Sequence, residues 1–312
     1  MNPINSAKNA ILKPEFVFRP GQLWRRLNWK RQWQDNHGQV TLPWGLALEI
    51  DASETIGMAI TKIGVYDLVV PEAIFRLCDP CETALDVGAN IGMNTGALAL
   101  ATGPTGKVVA YEPHPKLLQG LEETIASWKR SFGINNVDLR PQAVSDRAGT
   151  AALSIPSGFE QNLGTATLAA PEATTADGAA TETLDVPVVT LDDEFPNEDD
   201  RVGVMKIDIE GHESAALRGA ERLLGVGCIR DIIFEEHTPL PSDVSRLLEG
   251  HGYEIFLLRK DTLGPRIIPT PCELPEALPN YLATLDPERA QKRFKKRGYR
   301  SLRTHPLLRT KR

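Results

Sequence analysis

The stretch Asp86-Val-Gly88-Ala-Asn90-Ile-Gly92 decides the fold. It leaves a short apolar run, Thr83 to Val87, that has the length of a buried strand. It enters a small, apolar segment, Asn94 to Ala101, suited to a helix packed closely on a sheet. Glycines in such a strand-to-helix turn let the backbone approach a ligand without a Cβ clash, and the first helical N–H groups are free to donate. A dinucleotide-binding turn reads G-x-G-x-x-G. Here Asn90 stands where the second glycine belongs. The D-x-G-x-N-x-G pattern suits a carboxylate-bearing amino-acid ligand rather than a pyrophosphate.

Outward from this turn, strands and helices alternate. Lys107–Tyr111 reads as a second strand, 115–129 as a helix and 137–144 as a third strand. Residues 202–209 form the fourth, followed by a helix over 213–224. Residues 229–234 form the fifth, and a helix near 244–249 precedes a sixth at 253–258. This alternation predicts a doubly wound, mostly parallel α/β sheet with helices on both faces. In such sheets ligands bind at the carboxyl ends of the strands. The polar residues there are the candidates. Glu112, before Pro113, is placed to accept the two hydroxyls of a ribose. Ser145 and Asp146 follow the third strand, with Asp146 placed to accept an adenine amino group. Lys206 sits on an apolar strand and needs a carboxylate partner, because an unpaired buried charge is costly.

Taken in order, DVGANIG, EPHP, AVSD, VVTLDDEF and KIDIEGHE resemble the FkbM family of methyltransferases, over roughly 42–258. The resemblance implies a Rossmann-like class I sheet of seven strands, with the last one antiparallel. It also implies that S-adenosylmethionine is held by Asp86, Gly88, Asn90, Gly92, Glu112, Asp146 and Asp208, with Ala89, Asn94, Pro113 and Ser145 as neighbours in the same site. One departure is visible: the helix after the second strand reads Glu122-Glu-Thr-Ile-Ala where the family often has an Asn. Family members commonly methylate hydroxyl or carboxyl oxygens of glycans and varied natural products. The acceptor is therefore expected to be a small molecule, a glycan or a lipid.

Methyl transfer needs an acceptor oxygen in line with the methyl, and often a base or a metal to remove its proton. Asp208, Glu210, His212 and His237 are the catalytic candidates, with Asp208 expected to be essential. Asp208, Glu235 and Glu236 offer the hard oxygen ligands of a Mg²⁺ site, although metal-free chemistry is favoured. Other readings are a nicotinamide dehydrogenase, disfavoured by Asn90, a non-catalytic S-adenosylmethionine binder, and an N-methyltransferase acting on protein or RNA. No N-P-P-[YF] motif follows the fourth strand, which favours oxygen as the acceptor atom.

Composition sets the remaining bounds. The 312 residues carry a net charge of −6, which argues against a generally basic nucleic-acid binder. The charge is uneven: 286–312 holds eleven Lys/Arg and two acidic residues. A division into a Trp-rich accessory segment (1–58), a methyltransferase domain (59–270) with an insertion near 156–188, and a basic, solvated C-terminal tail (271–312) is expected. Trp24, Trp29 and Trp33 alternate with Arg25, Arg26, Lys30 and Arg31, so this segment and the tail are candidates for peripheral membrane contact. No leader or spanning segment is read, which makes the cytoplasm the expected location. Cys78 and Cys81 have the spacing of a metal or redox pair but lack the second pair a structural zinc needs.

Overall fold

The computed structural model describes residues 13–32, 37–156, 158–168, 182–197, 199–270 and 280–309. Its centre is an eight-stranded sheet. We label the strands β1 (Thr83–Val87), β2 (Lys107–Tyr111), β3 (Val137–Arg140), β4 (Val202–Ile207), β5 (Ile229–Glu235), β6 (Glu254–Asp261), β7 (Gly264–Pro269) and β8 (Asn280–Thr284). Their order across the sheet is β7-β6-β8-β5-β4-β1-β2-β3. The run β5-β4-β1-β2-β3 is parallel. β8 lies between β5 and β6 and runs against both, and β7 runs against β6.

The expected seven strands are therefore eight. The additional one, β7, folds back from β6 as a hairpin. It carries Pro265 and Pro269, which suit an edge position because proline cannot donate to a ladder on both sides. The expected third strand also divides at Pro141. Its first part is β3, and Ala143–Val144 joins a separate small sheet with Gly149–Ile155, Thr167–Leu168 and Glu182–Val189. The insertion expected near 156–188 is thus partly this small sheet, while 169–181 lie outside the described residues.

The division at 271 does not hold. β8 is completely buried between β5 and β6, so the supposed tail supplies an interior strand. The helix Pro287–Phe294 that follows is docked by ion pairs rather than solvated. Arg289 reaches Asp231 at 2.9 Å and Asp79 at 2.8 Å, and Arg293 reaches Asp79 at 2.6 Å. Beneath it lies a closed polar cluster. The Glu72 carboxylate accepts from Arg76 Nε (2.7 Å) and from the backbone N–H and hydroxyl of Ser301 (2.8 Å each). Arg76 in turn donates to the carbonyls of Arg293 and Gly298, both at 2.7 Å. Both side chains are essentially inaccessible. Removing one member of a buried pair strands the other charge, so Glu72→Ala is expected to cost about 3–5 kcal/mol of stability. Chemical denaturation would read this loss directly.

The accessory segment is likewise part of the body. His37–Thr41 and Ala47–Asp51 form a hairpin whose connection carries Trp44, and Trp44, Leu46 and Leu48 are buried in the main core beside Ile74 and Leu98. Trp128 closes this seam by donating its indole N–H to the Ala47 carbonyl at 2.6 Å. Ahead of the hairpin, the helix Pro20–Gln32 packs on Thr55–Ile63, with Lys62 4.5 Å over the Trp29 ring. Trp24 stays exposed, and Trp33 lies outside the described residues. No helix among the described residues is long and apolar enough to cross a membrane.

Chain direction places the site. The chain moves outward from β1 through β2 to β3, then returns with β4 on the other side of β1. The carboxyl ends of β1 and β4 flank the resulting crevice.

Candidate active site

The loop after β1 is held by its backbone. Gly88 and Ala89 donate to the Tyr111 carbonyl at 3.1 and 2.9 Å, which ties the loop to the end of β2. Gly88, Asn90 and Gly92 all take positive φ, at 83°, 51° and 90°. A Cβ on Gly88 would stand 2.1 Å from the Asp208 carbonyl oxygen. Strand-end backbones meet here with no room for a side chain. Gly88→Ala combines a left-handed φ with this clash and is expected to cost about 2–5 kcal/mol, read as a lowered Tm.

Asn90 shows why asparagine replaces glycine. It tolerates the left-handed backbone, and its side chain does what glycine cannot. Its amide donates to the Leu163 carbonyl at 3.2 Å, and its oxygen accepts from the Ile91 N–H at 2.7 Å. The loop is thereby tied to residues 158–168.

Glu112 is buried at the end of β2. One oxygen accepts from the Asn90 N–H at 2.8 Å and the other from the His114 N–H at 2.9 Å. A carboxylate has about four acceptor positions, so two stay open. Burial pushes the Glu112 pKa up to about 7 against the pull of those two N–H groups.

Two cavities share the walls Gly88, Asn90, Gly164, Asp208 and Glu210. The first lies over Glu112. Pro113, His114, Gln142 and His212 also line it. Two of its buried polar atoms, Gln142 Oε1 and His114 Nδ1, have no hydrogen-bond partner, and His114 is held by stacking on Phe159 at 4.5 Å. Buried polar atoms rarely stay unpaired, and both residues line this cavity.

The second cavity is lined by Tyr66, Ala89, Asn90, Asn94, Lys206, Asp208, Glu210 and Glu235. Asn94 Oδ1 is buried there without a partner. Lys206 donates to the Gly88 carbonyl at 2.6 Å and lies 3.5 Å from Asp86 and 3.7 Å from Asp208. Burial opposes its charge, but Asp208 and Asp86 outweigh that and hold its pKa above the usual value. Asp86 is fully buried, accepts from Thr95 Oγ1 at 2.6 Å, and is pushed up by desolvation. The other carboxylates crowd one another. Burial first, then Asp208, raises Glu235 to about 8 and Glu210 to about 7. Burial and the same carboxylates push Tyr66 up to about 12. Glu210 also carries a strained φ of 53°, beside Gly211 at 86°. Glu213 steadies the turn by accepting from Ile209 and Gly211 at 2.9 and 3.3 Å.

Most of the expected residues converge, but not all in the expected role. Gly88, Asn90, Glu112, Pro113, Asp208 and Glu210 line the first cavity, and Ala89 and Asn94 the second. Asp86, Gly92 and Ser145 line neither and act from behind the walls. Asp146 lines neither cavity and lies 3.7 Å from Arg218 Nε, while Gln142 lines the first. His212 lies on the first cavity, its ring 2.8 Å from the Ser145 hydroxyl, with burial lowering its pKa. It does not line the second cavity. His237 is exposed, pairs with Glu235 at 3.1 Å and lines neither cavity. The metal set does not form. Glu236 turns onto the Thr238 N–H at 2.7 Å, and no three His, Cys, Asp or Glu side chains among the described residues are grouped to hold an ion. Tyr66, His114 and Gln142 were missed. Tyr66 comes from outside the repeating units, and nothing in its neighbourhood marks it.

The sheet with its switch-point crevice, glycine loop and acidic residue after β2 is the Rossmann-like architecture of class I methyltransferases. Residues 86–255 match the model of the methyltransferase FkbM domain. The chain belongs to the FkbM family of S-adenosylmethionine-dependent methyltransferases. Among solved structures, a methyltransferase FkbM from Methylobacillus flagellatus is 16% identical over 68% of this chain, with a TM-score of 0.39, and this chain spans 50% of that one. A precorrin-6y C5,15-methyltransferase from Geobacter metallireducens is 19% identical over 75% of this chain and 95% of its own, with a TM-score of 0.37. An S-adenosylmethionine-dependent O-methyltransferase from Thermotoga maritima is 12% identical over 76% of this chain and 73% of its own, also with a TM-score of 0.37. These superpositions are loose, and the family assignment rests on the sequence match. No curated protein matches the chain.

Proposed function

We propose that the chain methylates a hydroxyl oxygen on a glycan, lipid or other small natural-product acceptor. The carrying observation is the ring of Asp208, Glu210 and Glu235 around the second cavity, with Lys206 the one cation on its wall among the described residues. A carboxylate acceptor would add a like charge to this ring. A hydroxyl instead donates to it.

The residues fit the cofactor. Glu112 has two acceptor positions open for ribose hydroxyls, Gln142 and His114 offer unpaired atoms around an adenine, and Asn94 offers one near an amino-acid end. S-adenosylmethionine supplies, when bound, a methyl carbon on a sulfonium. That methyl would be what the acceptor oxygen takes. Glu235 takes the hydroxyl proton, since a base with a pKa near the working pH transfers protons best. Asp208 stands on the wall common to both cavities, and Lys206, 3.7 Å from it, lines the second.

The test is methyl-label transfer to paired acceptors that differ only in hydroxyl against carboxyl. Transfer confined to the hydroxyl member supports the reading, and transfer confined to the carboxyl member overturns it. Turnover should rise with pH through about 8, as Glu235 ionises. Glu235→Gln should remove that limb and lower kcat by about 10²–10⁴-fold.

A further inference from the structure

At the opposite end of the sheet from the crevice, where the chain enters β1, lies a second kind of cavity. Its floor is Phe75, Cys78, Pro80 and Ala101. Its rim is cationic: Arg293, Lys296, Arg300, Arg303 and Arg309 all line it, with His305 between them. Asp79 is the only carboxylate on this wall among the described residues, and Arg289 and Arg293 already share it. Arg300 and Arg309 each donate one bond to a backbone carbonyl, at 2.7 Å to Phe75 and 3.1 Å to Thr304. The side chains of Lys296 and Arg303 make no hydrogen bond or ion pair with any described residue, and both are exposed. His305 Nδ1 is buried and unpaired at the same wall.

Like charges gathered without counterions repel one another, and folding gains nothing from placing them together. Burial and then the neighbouring Arg76 hold Arg300 below its usual value, and burial and then Arg309 do the same to His305. Helix caps and ion pairs explain Arg289 and Arg293 but leave Lys296, Arg300, Arg303 and Arg309 without a structural role of comparable weight. Guanidinium groups are suited to forked bonds with phosphate oxygens. An apolar floor under a cationic rim matches a phosphate group attached to something less polar.

We propose that this basin binds a phosphate-bearing ligand, at a site separate from the methyl-transfer crevice. Free phosphorylated molecules and anionic lipid headgroups share this chemistry, and the experiment separates them. The full chain is titrated calorimetrically with inorganic pyrophosphate. In parallel it is sedimented with phosphatidylcholine vesicles, with and without phosphatidic acid. The same measurements are made on the Lys296→Ala, Arg303→Ala double variant, whose exposed side chains make no hydrogen bond or ion pair with any described residue. Pyrophosphate binding that weakens about tenfold or more in the variant supports the site, since bonds to charged groups are each worth about a factor of ten. Sedimentation that needs phosphatidic acid and is lost in the variant supports it equally and names a lipid headgroup as the source. Absence of binding in both assays, or equal binding by the parent and the variant, overturns it. S-adenosylmethionine affinity is the control and should be the same in both proteins.

Discussion

Glu112→Ala is expected to weaken S-adenosylmethionine binding about 100-fold or more. The side chain is buried, each oxygen already holds one backbone N–H, and two acceptor positions remain for ribose hydroxyls. Two hydrogen bonds to a charged group are worth about 1.5–3 kcal/mol each, and every 1.4 kcal/mol is tenfold. The alanine also releases the N–H groups of Asn90 and His114, so part of its effect would come from a loosened loop. Glu112→Gln separates the two causes. It keeps one acceptor oxygen and the shape, so it should bind between the parent and the alanine variant. Calorimetric titration of all three gives the order. Parent-like affinity in both variants would remove the ribose contact from the site.

Asp208→Asn should reduce turnover by about 10²–10⁴-fold and should also move the pH profile. Asp208 stands on the wall shared by the two cavities, 3.7 Å from Lys206. Its charge is the second cause, after burial, that raises both Glu235 and Glu210. Without that charge each neighbour ionises more easily, so its pKa falls. The rising limb expected through about 8 in the parent should therefore shift to lower pH. Lys206 responds in the same direction. It loses one of the two carboxylates that hold it charged and keeps Asp86. A folded Asp208→Asn protein with full kcat would remove Asp208 from the chemistry. A reduced kcat with an unmoved limb would leave Asp208 essential but take away its control of Glu235.

Local pattern reveals a strand that is mostly apolar and bounded by turns. β1, β2, β4 and β5 have that form, and all were read within a residue or two. β8 does not. Asn280-Tyr-Leu-Ala-Thr284 is short and polar at both ends, and it precedes the most basic part of the chain. It is buried because β5 and β6 leave a gap that only an antiparallel strand fills, with Asn280 opposite Glu235 and Thr284 opposite Asp231. Charge content misled in the same way. Eleven basic residues near the end suggest a solvated tail, yet Arg289 and Arg293 find Asp79 and Asp231 far away in sequence.

The sequence by itself determined the class of ligand. Asp86 to Gly92, Glu112 and Lys206 to Glu210 each lie at or beside the end of an apolar strand, which is a local property. Only the tertiary structure decided which side chains share the second cavity. Tyr66, Glu235 and Asn94 come from three separate segments, and Asp146 and His237 line neither cavity, one lying 3.7 Å from Arg218 and the other 3.1 Å from Glu235. The reason is physical. A strand's register places its last residue at the crevice, but the direction of a loop side chain depends on what packs behind it, and that is supplied by segments far away in the chain.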